Sequence, residues 1–211
     1  SRRDGFGVVT FGWLTVTIFG SLPYLFSGVI EHPISALFET MSGFTTTGAT
    51  ILSNLESVPQ SIHFWRHLTQ WLGGMGVLIL CIAILPFLGV GGMQVFRAEM
   101  TGPSKDRLTP RITTTAKLLW GVYILISLSE VLLLHFVGKL SWFDSICHTF
   151  STVATGGFST RSESIGAFNS VSVDCIIMSF MFLCGINFQL HYFSEKLNLM
   201  SALHFLYDLY R

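Results

Sequence analysis

FTTTGAT, residues 44–50, carries four hydroxyls, one glycine and no charge between long apolar runs. A stretch that offers oxygen without ionised groups, flanked by segments suited to lipid, needs a chemical purpose. Half of the 211 residues are apolar and 11% are charged, and the mean hydropathy is +0.59. These values place the chain among all-α membrane proteins.

Four apolar segments carry that reading. Residues 5–30 and 67–96 contain no charge, residues 118–137 are interrupted only by Glu130, and residues 175–194 lie between Asp174 and Glu195. Each reaches about 20 residues, the length that crosses a bilayer. The second is too long for one straight span, so an overrun or a bend at Pro86 is expected. Of the twelve lysines and arginines, nine fall at the ends and in the 97–117 loop, and three (Arg66, Lys139 and Arg161) in the other two loops. The bias puts both ends and the central loop in the cytoplasm, and loops 31–66 and 138–174 outside. Net charge is zero and there is no basic tract for nucleic acid. Cys81, Cys147, Cys175 and Cys184 form no CxxC, so neither a zinc site nor a disulfide framework is indicated. The chain opens on Ser1 without a signal pattern and is expected to be a piece of a longer protein.

Placing Thr47-Gly48 on Thr155-Gly156 gives an internal repeat with an offset of 108 residues, which also carries the first span onto the third and the second onto the fourth. Two tandem span–pore-loop–span units result. The first covers residues 1–100, with spans about 5–30 and 67–92 and a pore helix and filter about 34–50. A cytoplasmic loop, 101–117, precedes the second unit at 118–194, with spans about 118–137 and 173–194 and pore helix and filter about 141–159. Residues 195–211 lead into the cytoplasm. Short helices are predicted over 35–44 and 141–150, the latter capped by Ser141 with Asp144 three residues on. Each is too short to span. Each is followed by irregular Thr/Gly sequence, the pattern of a re-entrant loop lining a protected cavity.

Uncharged oxygen at such a place suits a cation. Taking a small cation out of water costs on the order of 20 kcal/mol in the idealised Born limit. A ring of carbonyl and hydroxyl oxygens replaces the hydration shell without a full charge that would trap the ion. Glycine lets neighbouring carbonyls turn toward one axis, and a half-helix presents its negative C-terminal end. An ion-selectivity filter at Thr46, Thr47, Gly48, Ala154, Thr155 and Gly156 is the expectation, with a surface loop as the plainer alternative.

The same residues resemble a known family. FETMSGFTTTGATIL (38–52), HFWRHLTQWLGGMG (63–76), ILPFLGVGGMQVFRAEM (84–100), DRLTPRITTTAKLLWG (106–121), STVATGGFSTR (151–161) and GINFQLHYF (185–193) are similar to the TrkH-type subunit of the Trk/Ktr/HKT superfamily of potassium transporters. The resemblance implies four such units around one pseudo-fourfold pore, of which this chain holds the first two. It implies potassium as substrate, a lipid bilayer (the bacterial inner membrane), a homodimer and a cytosolic nucleotide-binding TrkA-type regulatory subunit. No covalent chemistry and no bound cofactor are implied. Gly48 and Gly156 match the family's filter glycines, and a glycine rather than serine at position 48 favours potassium over sodium. Two strands cannot close a ring, so this piece alone is not expected to conduct.

Other residues carry weaker signals. Tyr123, Ser127 and Glu130 share one helix face. Glu130 is either a carboxyl hydrogen-bonded to neighbouring helices or a group on the ion pathway. His63 and His67, four residues apart, suit metal or haem ligation in a redox subunit, or an interfacial position beside Trp65 and Arg66. Asn187 and His191 are expected to bond neighbouring helices near the inner surface. Gly73-Gly74-Met75-Gly76 and the glycines of 89–92 allow close helix approach. In a third, non-conducting reading, these glycine-rich spans serve assembly alone. The basic loop 100–111 is a positive-inside signal or a contact for the regulatory ring.

Overall fold

The computed structural model describes residues 2–88 and 108–185. The central loop up to residue 107, the glycines of 89–92, and everything beyond Gly185, with Asn187 and His191, lie outside the described residues. All regular structure within them is helical. The order is α1 (Arg2–Phe26), α2 (Pro33–Phe44), a 3-10 turn η1 (Leu55–Ser57), α3 (Gln60–Leu88), α4 (Leu108–Phe136), α5 (Trp142–Val153), η2 (Ser164–Phe168) and α6 (Val171–Gly185).

Within the described residues each apolar run is helical, and the two largest boundary shifts are at the starts of α3 and α4. α3 begins at Gln60 rather than residue 67 and continues as helix through Pro86. It takes in Arg66, because a charge that finds a buried partner need not end a helix. α4 begins at Leu108, so the last part of the supposed 101–117 loop is helical. Pro110 is tolerated there because a first-turn residue has no helical acceptor for the N–H it lacks. Helices α1 and α4 each hold an 18-residue window apolar enough to cross a membrane, Val9–Phe26 and Leu119–Phe136. Large apolar groups sit on their outer surfaces, among them Phe11, Phe19, Leu125 and Leu128, the inverse of a water-soluble bundle.

The short helices form as their ends dictate. Pro33 stands at the start of α2, where its fixed φ is pre-set for a helix. Ser141 caps α5 by accepting from the Asp144 amide at 3.0 Å. Both helices have 12 residues. α3 is wedged between them. A Cβ on Gly73 would drive into the Phe44 backbone, and one on Gly74 would lie 3.0 Å from Ala154 Cα. Gly73 and Gly74 thus serve the close packing the sequence suggested, whereas Gly76 has nothing within 4 Å. On the other flank, Gly20 of α1 admits Thr40 and the Phe44 ring of α2. Three apolar clusters seal the packing: Tyr24, Ile30, Ala36 and Ile62; Met75, Leu119, Tyr123, Ile126, Val153 and Cys184; and Leu134, Leu140, Val173 and Ile177.

The backbone corrects the internal register. α2 and α5 start 109 residues apart, at Pro33 and Trp142. Thr46 (φ 55°) corresponds to Thr155 (φ 53°), and Gly48 (φ 77°) to Gly157 (φ 76°), not to Gly156. The offset of 108 came from matching one Thr-Gly pair; the second segment carries two successive glycines, and either could be aligned.

Candidate ion-coordinating segments

The residues after α2 and α5 fold back over the helix ends in one pattern. The Thr46 amide donates to Gly43 O at 3.0 Å and the Thr47 amide to Ser42 O at 3.0 Å. Correspondingly, the Thr155 amide donates to Thr152 O at 2.9 Å and the Gly156 amide to Ser151 O at 2.8 Å. This is the Schellman closure, whose left-handed position usually holds glycine. Here it holds threonine twice. A β-branched residue at positive φ is an outlier that costs on the order of 1–3 kcal/mol and persists only where its surroundings over-determine it.

The two segments then meet. A Cβ on Gly48 would collide with the Gly156 carbonyl, its carbon only 3.2 Å away. Sequence reasoning placed Thr46, Thr47, Gly48, Ala154, Thr155 and Gly156 at one site. The structure brings Gly48 and Gly156 into backbone contact and adds Gly157 by conformation. The Thr45 hydroxyl lies 2.7 Å from Met41 O and 2.8 Å from the Thr47 hydroxyl. Ser42 Oγ donates to Ala49 O at 2.5 Å.

Behind the segments lies a charged bridge that the sequence did not reveal. Glu39, fully buried in α2, accepts from the Thr50 hydroxyl at 2.8 Å and the Ile51 amide at 3.1 Å. Arg66 of α3, 1% exposed, donates through Nε to Glu39 Oε1 at 2.7 Å. Its Nη1 donates to Ser159 O at 3.2 Å, and the guanidinium lies 3.9 Å from the Phe158 ring centroid. Gln70 Oε1 accepts from the Phe158 amide at 3.2 Å, and its side chain backs Gly156. The two opposite charges neutralise each other, leaving the face toward the segments uncharged. One signal was available: a lone carboxylate in an otherwise uncharged short helix and a lone arginine near the start of an apolar one.

His148, at the α5 position equivalent to Glu39, bonds the Ser159 hydroxyl at 3.1 Å. Its Nδ1 donates to Asp144 O at 2.8 Å. His63 and His67 are buried. They bond Leu55 O and His63 O respectively, and the His67 ring packs 6.2 Å from that of His148. Among the described residues no group of three or more His, Cys, Asp or Glu is arranged to hold a metal.

On α4, the Tyr123 hydroxyl donates to Trp71 O at 2.9 Å, and Ser127 accepts from the Trp71 indole at 3.0 Å. Glu130 is fully buried on α4, beside Thr152 of α5 and Cys184 of α6.

The outer loops are tied by Glu56, which accepts from the Ser162 hydroxyl at 2.6 Å and amide at 2.9 Å, while the Leu55 amide donates to Ser162 Oγ at 3.2 Å. The Ser162 hydroxyl and amide hold the Glu56 carboxyl down at about 2, from an ordinary 4.5. A depressed value means the tie is fully present above pH 4.5 and is lost as pH falls through about 2. Hydrogen exchange at the Ser162 amide should therefore show the same protection factor at pH 7 and pH 6, and a declining one below pH 4.5. Protection that is absent at pH 7 would show that the tie does not form.

The chain and its helical architecture have counterparts among known proteins. The TrkH family, described as cation transport protein, matches residues 1–196. The chain is 48% identical over 192 residues to the Trk system potassium uptake protein TrkH of Escherichia coli K12, covering 90% of this chain and 40% of that protein. It is 45% identical over 192 residues to the TrkH of Halomonas elongata, again covering 90% and 40%. The crystal structure of the potassium transporter TrkH from Vibrio parahaemolyticus superposes with a TM-score of 0.78 at 39% identity, covering 91% of this chain and 38% of that one. The chain thus spans about two fifths of the length of the relatives it matches.

Proposed function

Because the chain belongs to the TrkH family of cation transport proteins, we propose that segments 45–50 and 154–160 supply half of a potassium-selective filter in a Trk-type uptake system of the cell membrane. The observation that carries this reading is the pair of left-handed threonines, Thr46 and Thr155. Each sits at the same point of a helix-terminating turn, and the two turns bring uncharged oxygen-bearing backbone into contact at Gly48 and Gly156. Strain of that kind, repeated at equivalent points, is characteristic of a functional site.

In this reading α2 and α5 are pore helices, and the segments after them replace the water around a dehydrated cation with carbonyl and hydroxyl oxygens. Thr46, Thr47, Ala154, Thr155 and Gly156 line the path together with Gly48 and Gly157. Glu39 and Arg66 stand behind it as a neutral pair and do not trap the ion. The ion moves down its electrochemical gradient, and no bond is made or broken. Both ends of the chain face the cytoplasm of a bacterial inner membrane. The complete protein works as a homodimer with a TrkA-type nucleotide-binding partner.

Potassium flux through the full-length protein in liposomes, with and without competing sodium, is the test. Potassium flux that survives a large excess of sodium is the expected result. Absent flux, or flux that sodium suppresses in proportion to its concentration, would remove the selective-filter reading.

A further inference from the structure

Resting on the filter reading, we propose that Arg66 is a positioning residue for ion selectivity. It acts as a single buried strut that sets the spacing between the two segments. Its Nε grips Glu39, and Glu39 in turn grips the first segment at Thr50 and Ile51. Its Nη1 grips the second segment at Ser159 O, and its plane lies on Phe158. One planar, forked cation therefore touches both segments, directly or through its counter-charge. A lysine has three donors but all on one nitrogen, without the rigid fork that fixes both bonds or the flat face that lies on Phe158.

The internal correspondence shows why the strut is special to this place. Position 148, equivalent to Glu39 at the offset of 109, also braces its own segment, since His148 bonds Ser159 Oγ just as Glu39 bonds Thr50. Bracing within a unit is thus general. Of the two described units, the first alone makes its brace a carboxylate, and there an arginine from α3 discharges it and reaches across to the other unit. The exposed Glu56–Ser162 tie also links the units, but farther along the chain from both glycines. Two cations of equal charge are told apart by the size and field of their oxygen cage, and functional geometry must be held to within about 0.5 Å. A buried, charge-neutral strut between segments meets that demand without placing net charge beside the ion.

The experiment compares full-length Arg66→Lys, the double variant Glu39→Gln/Arg66→Gln, and Gly48→Ser, each in liposomes at matched protein density. Potassium-over-sodium preference and melting temperature are measured for each. The double variant removes both charges together, so no buried charge is left unpaired. Arg66→Lys and the double variant are expected to lower the preference about tenfold, the consequence of loosening a charged hydrogen bond, while sodium flux rises. Gly48→Ser is expected to lower it as well. If Gly48→Ser lowers the preference while both Arg66 variants keep the wild-type value, Arg66 does not position the filter and the proposal fails alone. A lowered melting temperature with unchanged preference overturns it equally, since Arg66 is then a structural support only. If none of the three changes the preference, the filter reading itself is wrong and the strut goes with it.

Discussion

Gly48→Ala in the full-length protein is expected to cut potassium uptake about 100-fold or more at unchanged membrane abundance. Two costs combine. The backbone at Gly48 has φ 77°, a conformation that costs an L-residue roughly 1–2 kcal/mol. The new methyl would also collide with the Gly156 carbonyl, which is backbone and cannot swing aside. Forcing the two segments apart adds about 1–3 kcal/mol, and each 1.4 kcal/mol is about tenfold. Gly157→Ala separates the two contributions. Its φ of 76° matches, but a Cβ there has nothing within 4 Å, so only the conformational cost applies and a loss of about tenfold is expected. Uptake of labelled rubidium or potassium by cells lacking other uptake systems gives both values. Equal, mild losses at the two positions would mean that the segments do not touch as described.

Gly73→Ala is expected to have the largest effect on stability. Its Cβ would stand 2.6 Å from the carbonyl carbon and 2.8 Å from Cα of Phe44, the last residue of α2. Relief requires α2 and α3 to part, and with them the turn that carries Thr46. Overpacking of this kind costs about 1–3 kcal/mol, or roughly 2–10 °C in melting temperature for a protein of this size. Gly76→Ala lies in the same helix, where an added Cβ meets nothing within 4 Å. There alanine should leave the melting temperature unchanged or raise it, because glycine in a helix interior is about 0.5–1 kcal/mol worse than alanine. Thermal melts of the purified protein in detergent check the pair, and indistinguishable melts would count against the wedge of α3 between α2 and α5.

The features legible in the amino-acid order were those that neighbours determine. Apolar runs gave the long helices, Ser141 and Asp144 gave the start of α5, and the hydroxyl- and glycine-rich stretches located the two segments. What escaped depends on partners distant in the chain. Arg66 read as the edge of a span because a charge beside an apolar run normally ends it. Its counter-charge, Glu39, lies 27 residues back, and only the folded helices bring them to 2.7 Å. The burial of His63 and His67 was hidden for the same reason, since the ring that His67 packs against belongs to His148. The register slipped by one because Gly156 and Gly157 look alike in sequence and differ only in φ, which is positive at Gly157. Glu130 was visible as an oddity, but its surroundings were not.

Thr46 and Thr155 occupy turns in which glycine would rest more comfortably. Under the proposed filter reading, durability and ion handling are therefore opposed at these two residues. Glycine at either position would relax the bend and harden the fold against heat, yet it would erase a hydroxyl and a β-carbon in the same stroke. Efforts to make this protein hardier for study would find their easiest improvement at the spot that can least spare the change.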